Sequence, residues 1–390
     1  MDVLKFFRKI SWKKLPKKLQ AESTEIVEPV DVPDTPVPPE TPRPSQPQEM
    51  LAITCIGYSH IKAGTVCQDS SLCRQAQNYR LIAVSDGHGS ASFPRSDRGS
   101  RLACSIVNDV CEEFFTGALP EDREQAARAL CQEILCRWTK AVYEDHCAEP
   151  FDDATLETVP EKYREHYRCG TRIEHAYGAT LIAVMETPAG VLAIRCGDGE
   201  CVMIDPKGTL SRPIPWNEKC DVNVTTSLCD NHAIEEFRWV WLDEKPAAIW
   251  ISTDGLDNSY PIAAELDEFY AKLSLAALEE NCDYVRQELE NFLPVLTQRC
   301  SQDDISVAAL MNVPELNFAQ SKLQAYVDLQ RSLREKDSIL RQIKKLEKPH
   351  KTQTEEESQE NSENILQLKS QLEELEGKIF RLRLIVEVSV

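Results

Sequence analysis

Short apolar runs separated by glycine and aspartate turns fill the middle of the chain and predict buried β-strands. Five of these runs stand out, at residues 81–85, 179–185, 191–196, 247–252 and 305–311. Between them, apolar residues recur at helical spacing, at Leu102, Ile106, Val110 and Phe114 and again across residues 126–142. Strand and helix patterns therefore alternate, which predicts one mixed α and β domain over residues 51–313.

A polar stretch interrupts this pattern at residues 151–174, where no clear periodicity is present. Such a stretch is typical of a long insertion or of an exposed helix and loop segment. We expect it to extend from the domain surface.

The C-terminal region, residues 314–390, has heptad spacing instead. Apolar residues alternate by three and four positions in two sets, with Lys336 at one core position of the first: Tyr326, Leu329, Leu333, Leu340 and Ile343, then Ile365, Leu368, Leu372, Leu375, Ile379, Leu382 and Val386. A polar break at 348–364 contains Pro349. This arrangement predicts an α-helical coiled-coil hairpin, although either helix could instead pair with another chain, by self-association or with a coiled-coil partner.

Before the domain, two segments lack the pattern of a folded core. Residues 1–20 form a basic amphipathic segment whose apolar residues are interrupted by Lys and Arg, so it resembles neither a signal peptide nor a transmembrane span. It fits weak contact with an anionic membrane surface and a solvated or partner-docking tail equally well. Residues 21–50 are rich in Pro and Glu and predict a disordered linker.

Composition narrows the functional classes. The chain has 64 acidic and 44 basic residues, a net charge of −20, which argues against binding to nucleic acid. Its 15 cysteines are scattered, follow no secretory signal and lack the short paired spacing of a structural zinc site. We expect a reduced, cytoplasmic protein, peripheral to the membrane only if residues 1–20 bind there.

Candidate chemistry lies where predicted strands end. Asp86 and Asp254 each follow a buried strand and precede a glycine, and Asp303 comes shortly before the strand at 305–311. An Asp-Gly pair after a strand is usually an ordinary turn. Three carboxylates at strand ends, however, can converge on one edge of a sheet and bind a hard cation.

The ordered set of motifs resembles the type-2C, metal-dependent serine/threonine protein phosphatases, in their divergent bacterial-type branch. The resemblance covers residues 53–311 and rests on Gly57-Tyr58-Ser59-His60, Cys67-Gln68-Asp69, Asp86-Gly87-His88-Gly89, Tyr177-Gly178-Ala179-Thr180, Cys196-Gly197-Asp198-Gly199, Ser252-Thr253-Asp254-Gly255 and Asp303-Asp304-Ile305-Ser306.

This resemblance implies an α+β fold, a four-layer α-β-β-α sandwich of two antiparallel sheets flanked by helices. It also implies two Mn²⁺ or Mg²⁺ ions at one edge. Asp86 would bridge the ions, Gly87 would offer its carbonyl oxygen, and Asp254 and Asp303 would complete one ion's ligands. Asp69 would act on the other ion, directly or through water.

The implied reaction is hydrolysis of phosphoserine and phosphothreonine in a protein substrate by direct attack of a metal-activated water. Asp86 and His88 are the candidate catalytic residues, with His88 placed to protonate the departing oxygen. A hydrogen-bonded turn histidine is the alternative for His88.

Two departures from the better-known eukaryotic pattern affect this interpretation. The arginine that grips phosphate there would fall near Gly64, and Gln68 stands where a glutamate is usual. His60 and Lys62 are candidate phosphate ligands, and Arg95 and Arg98 are others. The missing arginine leaves an alternative function open, that of a non-catalytic interaction protein with a phosphatase fold that acts through its coiled coil.

The Gly178-Ala179-Thr180 and Gly197-Asp198-Gly199 motifs are assigned to the scaffold. We expect Asp198 to accept hydrogen bonds from backbone amides in a tight turn.

Overall fold

The computed structural model describes residues 49–114, 122–220, 224–347 and 355–387. The predicted basic segment at 1–20 and residues 21–48 of the predicted linker lie outside these ranges.

Ten strands form in the described ranges, and all five strongly apolar runs of the sequence are among them. Their bounds are Met50–Cys55 (β1), Ser70–Gln75 (β2), Arg80–Ser85 (β3), Leu181–Thr187 (β4), Gly190–Cys196 (β5), Glu200–Ile204 (β6), Leu210–Ser211 (β7), Arg238–Leu242 (β8), Ala248–Ser252 (β9) and Ile305–Met311 (β10).

The strands build two five-stranded sheets. One has the order β1-β10-β9-β6-β7 and the other β2-β3-β4-β5-β8. Every neighbouring pair is antiparallel. Both sheets therefore combine strands from distant parts of the chain, since β1 pairs with β10 along its whole length.

Strand alternation explains why these runs are apolar at nearly every position. In β3, Ile82 and Val84 face the other sheet, while Leu81 and Ala83 pack against helices. Successive side chains of a strand point to opposite faces, so a strand covered on both faces needs apolar residues throughout. The core between the sheets is closed from the other side by Ile249 of β9.

Helices cover both outer faces of the paired sheets. The helical segments are Tyr58–Ala63 (α1), Ser96–Phe114 (α2), Arg123–Ala148 (α3), Asp153–Thr158 (α4), Glu161–Arg168 (α5), the 3₁₀ turn Ile173–Tyr177, Ala233–Glu236 (α6), Asp254–Asp257 (α7), Ala263–Glu279 (α8), Cys282–Arg299 (α9), Val313–Leu346 (α10) and Glu355–Glu387 (α11).

The two outer layers are separate apolar clusters. Val107 of α2 and Trp138 of α3 pack on the sheet that contains β3. Phe269 of α8 and Leu289 of α9 pack on the sheet that contains β9. The order of layers is helix, sheet, sheet, helix, which confirms the predicted four-layer α-β-β-α sandwich.

The segment at 151–174 differs from its prediction. It forms α4, α5 and the start of the 3₁₀ turn, as a helix and loop segment would, but it is not simply exposed. Leu156, Tyr167 and Ile173 are buried in the same cluster as α3. Val159 is buried there too, and such irregularly spaced apolar residues leave no periodic signal in the sequence.

Helix α10 begins two residues after β10 and lies first against the domain. Leu316, Ala319 and Leu323 join the apolar cluster of α8 and α9. Farther along, the side chain of Arg334 donates to Glu268 of α8, with Nη2 2.7 Å from Oε1. The first two thirds of α10 are thus part of the domain's outer layer.

From Leu329 to Ile343, α10 also packs against α11 in the same chain. The shared cluster contains Leu329, Leu333, Ile339, Ile343, Ile365, Leu368, Leu372, Leu375, Ile379, Leu382 and Val386. Ion pairs from Lys336 to Glu376 (2.6 Å) and from Lys369 to Glu347 (3.6 Å) show that the two helices are antiparallel. The coiled-coil character of this pair stays a prediction.

Two details of the heptad prediction are wrong. Leu340 is 42% exposed and Ile339 is buried instead, although the next predicted position, Ile343, is buried in the shared cluster. Tyr326 packs on the domain cluster, not on α11. Among the described side chains of α11, the shared cluster begins at Ile365, although the helix itself begins at Glu355. Glu and Gln are good helix formers even where they cannot form an apolar seam.

Two further observations concern the whole described chain. Within it, no helix combines the length and apolarity that a bilayer span requires. All 15 cysteines are free thiols.

The contact between Arg334 and Glu268 supplies a stability test. Burial would raise the pKa of Glu268, but hydrogen bonds from Arg334 and Lys272 bring it below its usual value of 4.5. We expect Arg334→Ala to lower the free energy of unfolding in urea by about 1–3 kcal/mol, since it removes a charged hydrogen bond. The loss should fade as the pH falls through the folded pKa of Glu268, because protonated Glu268 no longer attracts the guanidinium.

Arg331→Ala is the matched control, because Arg331 is on the same helix and its ion pair in the described part of the chain is with the nearby Asp328. It should change stability by less than about 0.5 kcal/mol. Equal losses of unfolding free energy in the two variants would show that the contact between Arg334 and Glu268 does not stabilise the packing of α10 on the domain.

Candidate functional site

Four carboxylates come together where the ends of the two sheets meet. Asp69 precedes β2 and Asp86 follows β3, both in one sheet, while Asp254 follows β9 and Asp303 precedes β10 in the other. A hydrogen bond joins the two sides, from Thr253 Oγ1 to Asp69 Oδ2 at 2.7 Å. The structure therefore brings together the four aspartates that the sequence singled out.

The four carboxylates interact electrostatically. Burial, followed by the charges of Asp69 and Asp254, raises the pKa of Asp86 well above its usual range. Burial also raises the pKa of Asp69, against the hydrogen bond from Thr253. For Asp303, burial again dominates, and its pKa is raised further by Asp304. These shifts mean that the site concentrates negative charge away from water.

The pKa of Asp254 rises to about 6, through burial first and then through the charge of Asp198, while Asp86 and the hydrogen bond from Asn258 oppose the rise. The carboxyl groups of Asp86 and Asp254 therefore lie close enough to shift each other's pKa.

Asp304 is a central residue whose role the sequence did not reveal. Its buried carboxylate accepts hydrogen bonds from the backbone N–H of Gly57 (2.5 Å) and of Gln68 (2.6 Å). His60 Nδ1 lies 2.9 Å from the same carboxylate. Asp304 therefore fixes the Gly57 to His60 motif and the residue before Asp69. In the sequence, the only indication of Asp304 is its position next to Asp303. That position does not distinguish a candidate metal ligand from a residue that holds the neighbouring loops.

Two glycines are needed for the close approach of these loops. A Cβ atom on Gly87 would lie 2.5 Å from the Gln68 carbonyl oxygen, and one on Gly255 would lie 2.0 Å from that of Asp304. No side chain fits at such distances. Gly87 and Gly255 thus let the loop of Asp86 lie on the loop of Asp69, and the loop of Asp254 on that of Asp304.

His88 has contacts that argue against the predicted role in protonating the leaving group. Its Nε2 lies 2.8 Å from Ser227 Oγ, and its ring packs edge-on against Phe93, with 4.7 Å between the ring centroids. Burial, followed by the charge of His175, lowers the pKa of His88 to about 4. A histidine with this pKa is neutral at neutral pH and carries no extra proton to donate.

The four candidate phosphate ligands differ in their contacts. The His60 ring is engaged by Asp304, whereas Lys62 is exposed with Nζ 4.7 Å from the centre of the Tyr58 ring. Arg95 and Arg98 both pair with Asp145, at 3.4 and 3.1 Å. The structure thus uses the two arginines to hold α3.

Asp198 was assigned to the scaffold, but the structure places it closer to the chemistry. Its charge is the leading electrostatic cause of the raised pKa of Asp254. Burial raises the pKa of Asp198 itself, and a hydrogen bond with Thr225 opposes that shift. Its side-chain partner is therefore a hydroxyl as well as backbone. Proximity to Asp254 had no signal in the sequence because it depends on the pairing of β6 with β9, which sets Glu200 opposite Ser252.

An open cleft of about 470 Å³ lies beside the loop of Asp86. One wall comes from that loop and from Gln68, and the other from α4. The lining residues are mostly small and uncharged: Gln68, Gly89, Ser90, Ala91, Phe93, Pro94, Ala154, Thr155 and Thr158. The segment at 151–174 therefore reaches the candidate site, which the sequence did not predict.

The donor set fits a hard divalent cation, because the clustered groups are carboxylates that raise one another's pKa and have oxygen ligands to offer. Within the described residues, no three Asp, Glu, His or Cys side chains already form a complete ligand group. The fit therefore rests on the chemistry and the uncompensated charge of the four aspartates.

Solved structures similar to this chain include three bacterial proteins. PppA of Pseudomonas aeruginosa, a key regulatory component of T6SS, is 15% identical with a TM-score of 0.45 and covers 67% of this chain and 96% of its own. The Mycobacterium tuberculosis phosphatase PstP is 12% identical with a TM-score of 0.41, covering 67% and 98%. The S. agalactiae serine/threonine phosphatase is 16% identical with a TM-score of 0.43, covering 67% and 99%.

No curated protein matches the chain's sequence. The family model of protein phosphatase 2C, in contrast, matches residues 56–294. That range includes Asp69, Asp86 and Asp254 and spans more than half of the chain. The chain therefore belongs to the protein phosphatase 2C family.

Proposed function

We propose that this chain hydrolyses phosphoserine and phosphothreonine in protein substrates. The observation that carries the proposal is the cluster of Asp69, Asp86 and Asp254, buried together at the meeting of the two sheets with raised pKa values. Membership of the protein phosphatase 2C family supports it. Two of the proteins with similar solved structures, PstP and the S. agalactiae protein, are serine/threonine phosphatases.

The proposed cofactors are two Mn²⁺ or Mg²⁺ ions. Asp86, Asp254 and Asp303 would hold one, and Asp69 and Asp86 the other, with the Gly87 carbonyl oxygen as a further ligand. One of the similar structures, the PstP catalytic domain, is described as a complex with two manganese ions. Such ions supply positive charge against a phosphate dianion and make water acidic enough to attack phosphorus.

The chain's own residues would keep this cluster in place. The Thr253 hydroxyl donates to one oxygen of Asp69, which orients the carboxylate. Asp304 holds the backbone of Gln68 beside it. Oriented ligands lose less freedom when they bind, so these contacts act as support for the proposed site.

For the substrate, we propose that the cleft between the Asp86 loop and α4 receives the chain that flanks the phosphorylated residue. Its small uncharged lining leaves room for an extended backbone, and Thr155 and Thr158 offer hydroxyl groups to it. A non-catalytic role is not favoured, because all four aspartates are retained and clustered.

The first test uses Asp86→Asn. We expect kcat/KM for a phosphopeptide to fall at least about 100-fold, which corresponds to about 2.7 kcal/mol of transition-state stabilisation. In EDTA the variant should melt no lower than the wild type, because the substitution removes one of several buried like charges. Saturating Mn²⁺ should stabilise the wild type, by about 2.7 kcal/mol at 100 times Kd, and should stabilise the variant far less.

Asp109→Asn is the control, since Asp109 is exposed on α2. It should respond to Mn²⁺ as the wild type does, in calorimetric titration and in thermal melting. Equal Mn²⁺ stabilisation of the Asp86 variant would show that Asp86 is no ligand.

His88→Gln tests whether His88 protonates the leaving oxygen. A proton donor matters for a phosphoserine peptide, whose leaving group is a poor alkoxide, and hardly for p-nitrophenyl phosphate. Because Ser227 engages Nε2, we expect the variant to change kcat for both substrates by the same factor. A loss of about 100-fold or more confined to the phosphopeptide would restore the predicted acid role.

Lys62→Ala tests whether Lys62 binds the substrate phosphate, since the other three candidates contact carboxylates. Loss of one charged hydrogen bond should raise KM for a phosphopeptide about tenfold or more, with kcat less affected. Lys62→Arg should retain most of the affinity. Lys140→Ala, at an exposed position on α3, is the matched loss of one positive charge. If both alanine variants raise KM equally, the effect is general charge and not a phosphate contact.

A further inference from the structure

Helix α11 has a second apolar face, opposite to the one that packs on α10. Leu366, Phe380 and Leu384 are 72%, 65% and 49% exposed. Glu373 and Gly377 lie between them at heptad spacing. Leu366 and Glu373 are seven residues apart, and the steps from Glu373 through Gly377 and Phe380 to Leu384 are four, three and four residues. This spacing puts them on one side of a helix, half a turn from the buried seam through Leu375 and Ile379.

Exposed phenylalanine and leucine at heptad spacing are typical of a helix that pairs with another helix. Within the described residues, α10 covers only the opposite side of α11, and the second face has no apolar partner. Charges on its flanks then indicate what the partner is. Glu374 and Arg381 border the face, and neither belongs to an ion pair in the described part of the chain.

We propose that two copies of this chain pair through the second face of α11 in antiparallel orientation. A second copy fits because the charges on the face are self-complementary when it is reversed. In the register that sets each Phe380 over the partner's Gly377, Leu384 lies beside the partner's Glu373 and Leu366 lies outside the contact. Glu374 then meets the partner's Arg381, and two-fold symmetry makes this pair twice.

Other arrangements of two copies bring like charges together. A parallel pair puts Glu373 against the partner's Glu373 inside the apolar seam. An antiparallel pair shifted by one heptad, with Leu366 on the partner's Leu384, sets Glu374 against the partner's Glu374. Like charges across an interface oppose association, so charge selects one register. An anionic membrane is a poorer occupant, because the chain has a net charge of −20.

The size of residues also fits this register. Gly377 leaves space on the helix surface, and the nearest side-chain atom to an added Cβ there is Arg381 Nη1 at 3.8 Å. A phenyl ring from the second copy can therefore lie on the backbone of α11 at this point. Gly377 and Phe380 are one turn apart, so the same two residues supply both the space and the ring in each copy.

Sedimentation equilibrium of the full chain tests the proposal. We expect the wild type to show a concentration-dependent dimer, at twice the monomer mass of 44.2 kDa. Phe380→Glu should lose the dimer and sediment as a monomer. Ile385→Glu is the matched control, because Ile385 is on the same helix and 50% exposed but lies outside the second face. It should keep the dimer.

Charge exchange tests the orientation. Glu374→Arg and Arg381→Glu should each weaken the dimer, and the double variant should restore it, because the exchange recreates the pair between copies. In a parallel pair, the same double variant would face Lys369 and Glu376 with like charges and would stay weak. Circular dichroism at equal helix content separates loss of pairing from loss of the helix.

A wild-type chain that sediments as a monomer throughout overturns the proposal, and so does a Phe380→Glu variant that remains a dimer. A monomer that floats with phosphatidylcholine vesicles, and stops doing so in Phe380→Glu, would show that the face binds lipid instead. A double charge variant that stays monomeric overturns the antiparallel register.

Discussion

The carboxylate of Asp304 is the contact on which the rest of the site depends. It receives the backbone N–H groups of Gly57 and Gln68 and the ring of His60. Through these bonds a single buried side chain, directly before strand β10, fixes two loops from the start of the domain. Together with the hydrogen bond from Thr253 to Asp69, it sets the position of Asp69 relative to Asp254. A buried carboxylate with three donors is stable where an unpaired one is not.

The neighbouring cluster of Asp69, Asp86, Asp254 and Asp303 differs from Asp304, because its carboxylates mainly face one another and not hydrogen-bond donors. Raised pKa values at Asp69 and Asp86 show that the folded chain keeps these charges at a cost. The core between the sheets, with Ile82 and Ile249 from opposite sides, provides the rigidity that holds them there. A packed interior next to polar loops is a usual division between scaffold and functional site.

The strand and helix patterns predicted the mixed α and β domain, and the resemblance to the type-2C phosphatases implied the sandwich. Carboxylates at strand ends leave a local pattern, so the sequence could single out aspartates that influence one another's pKa in the structure. Contacts that depend on tertiary approach leave no such pattern. Examples are the proximity of Asp198 to Asp254, the bonds to Asp304, and the burial that lowers the pKa of His88. The heptad pattern likewise does not show that Ile339 is buried in place of Leu340, since this depends on how α11 lies against α10.

Helix α10 starts two residues after the strand that follows Asp304 and stays on the domain as far as Arg334. At 1.5 Å per residue, the part from Val313 to Arg334 is a strut about 33 Å long fixed to the phosphatase domain. The remaining turns of α10 carry α11 outward on this support. A molecule that binds α11 would therefore be held at a fixed distance and in a fixed direction from the aspartates, because α10 is attached rigidly to the domain.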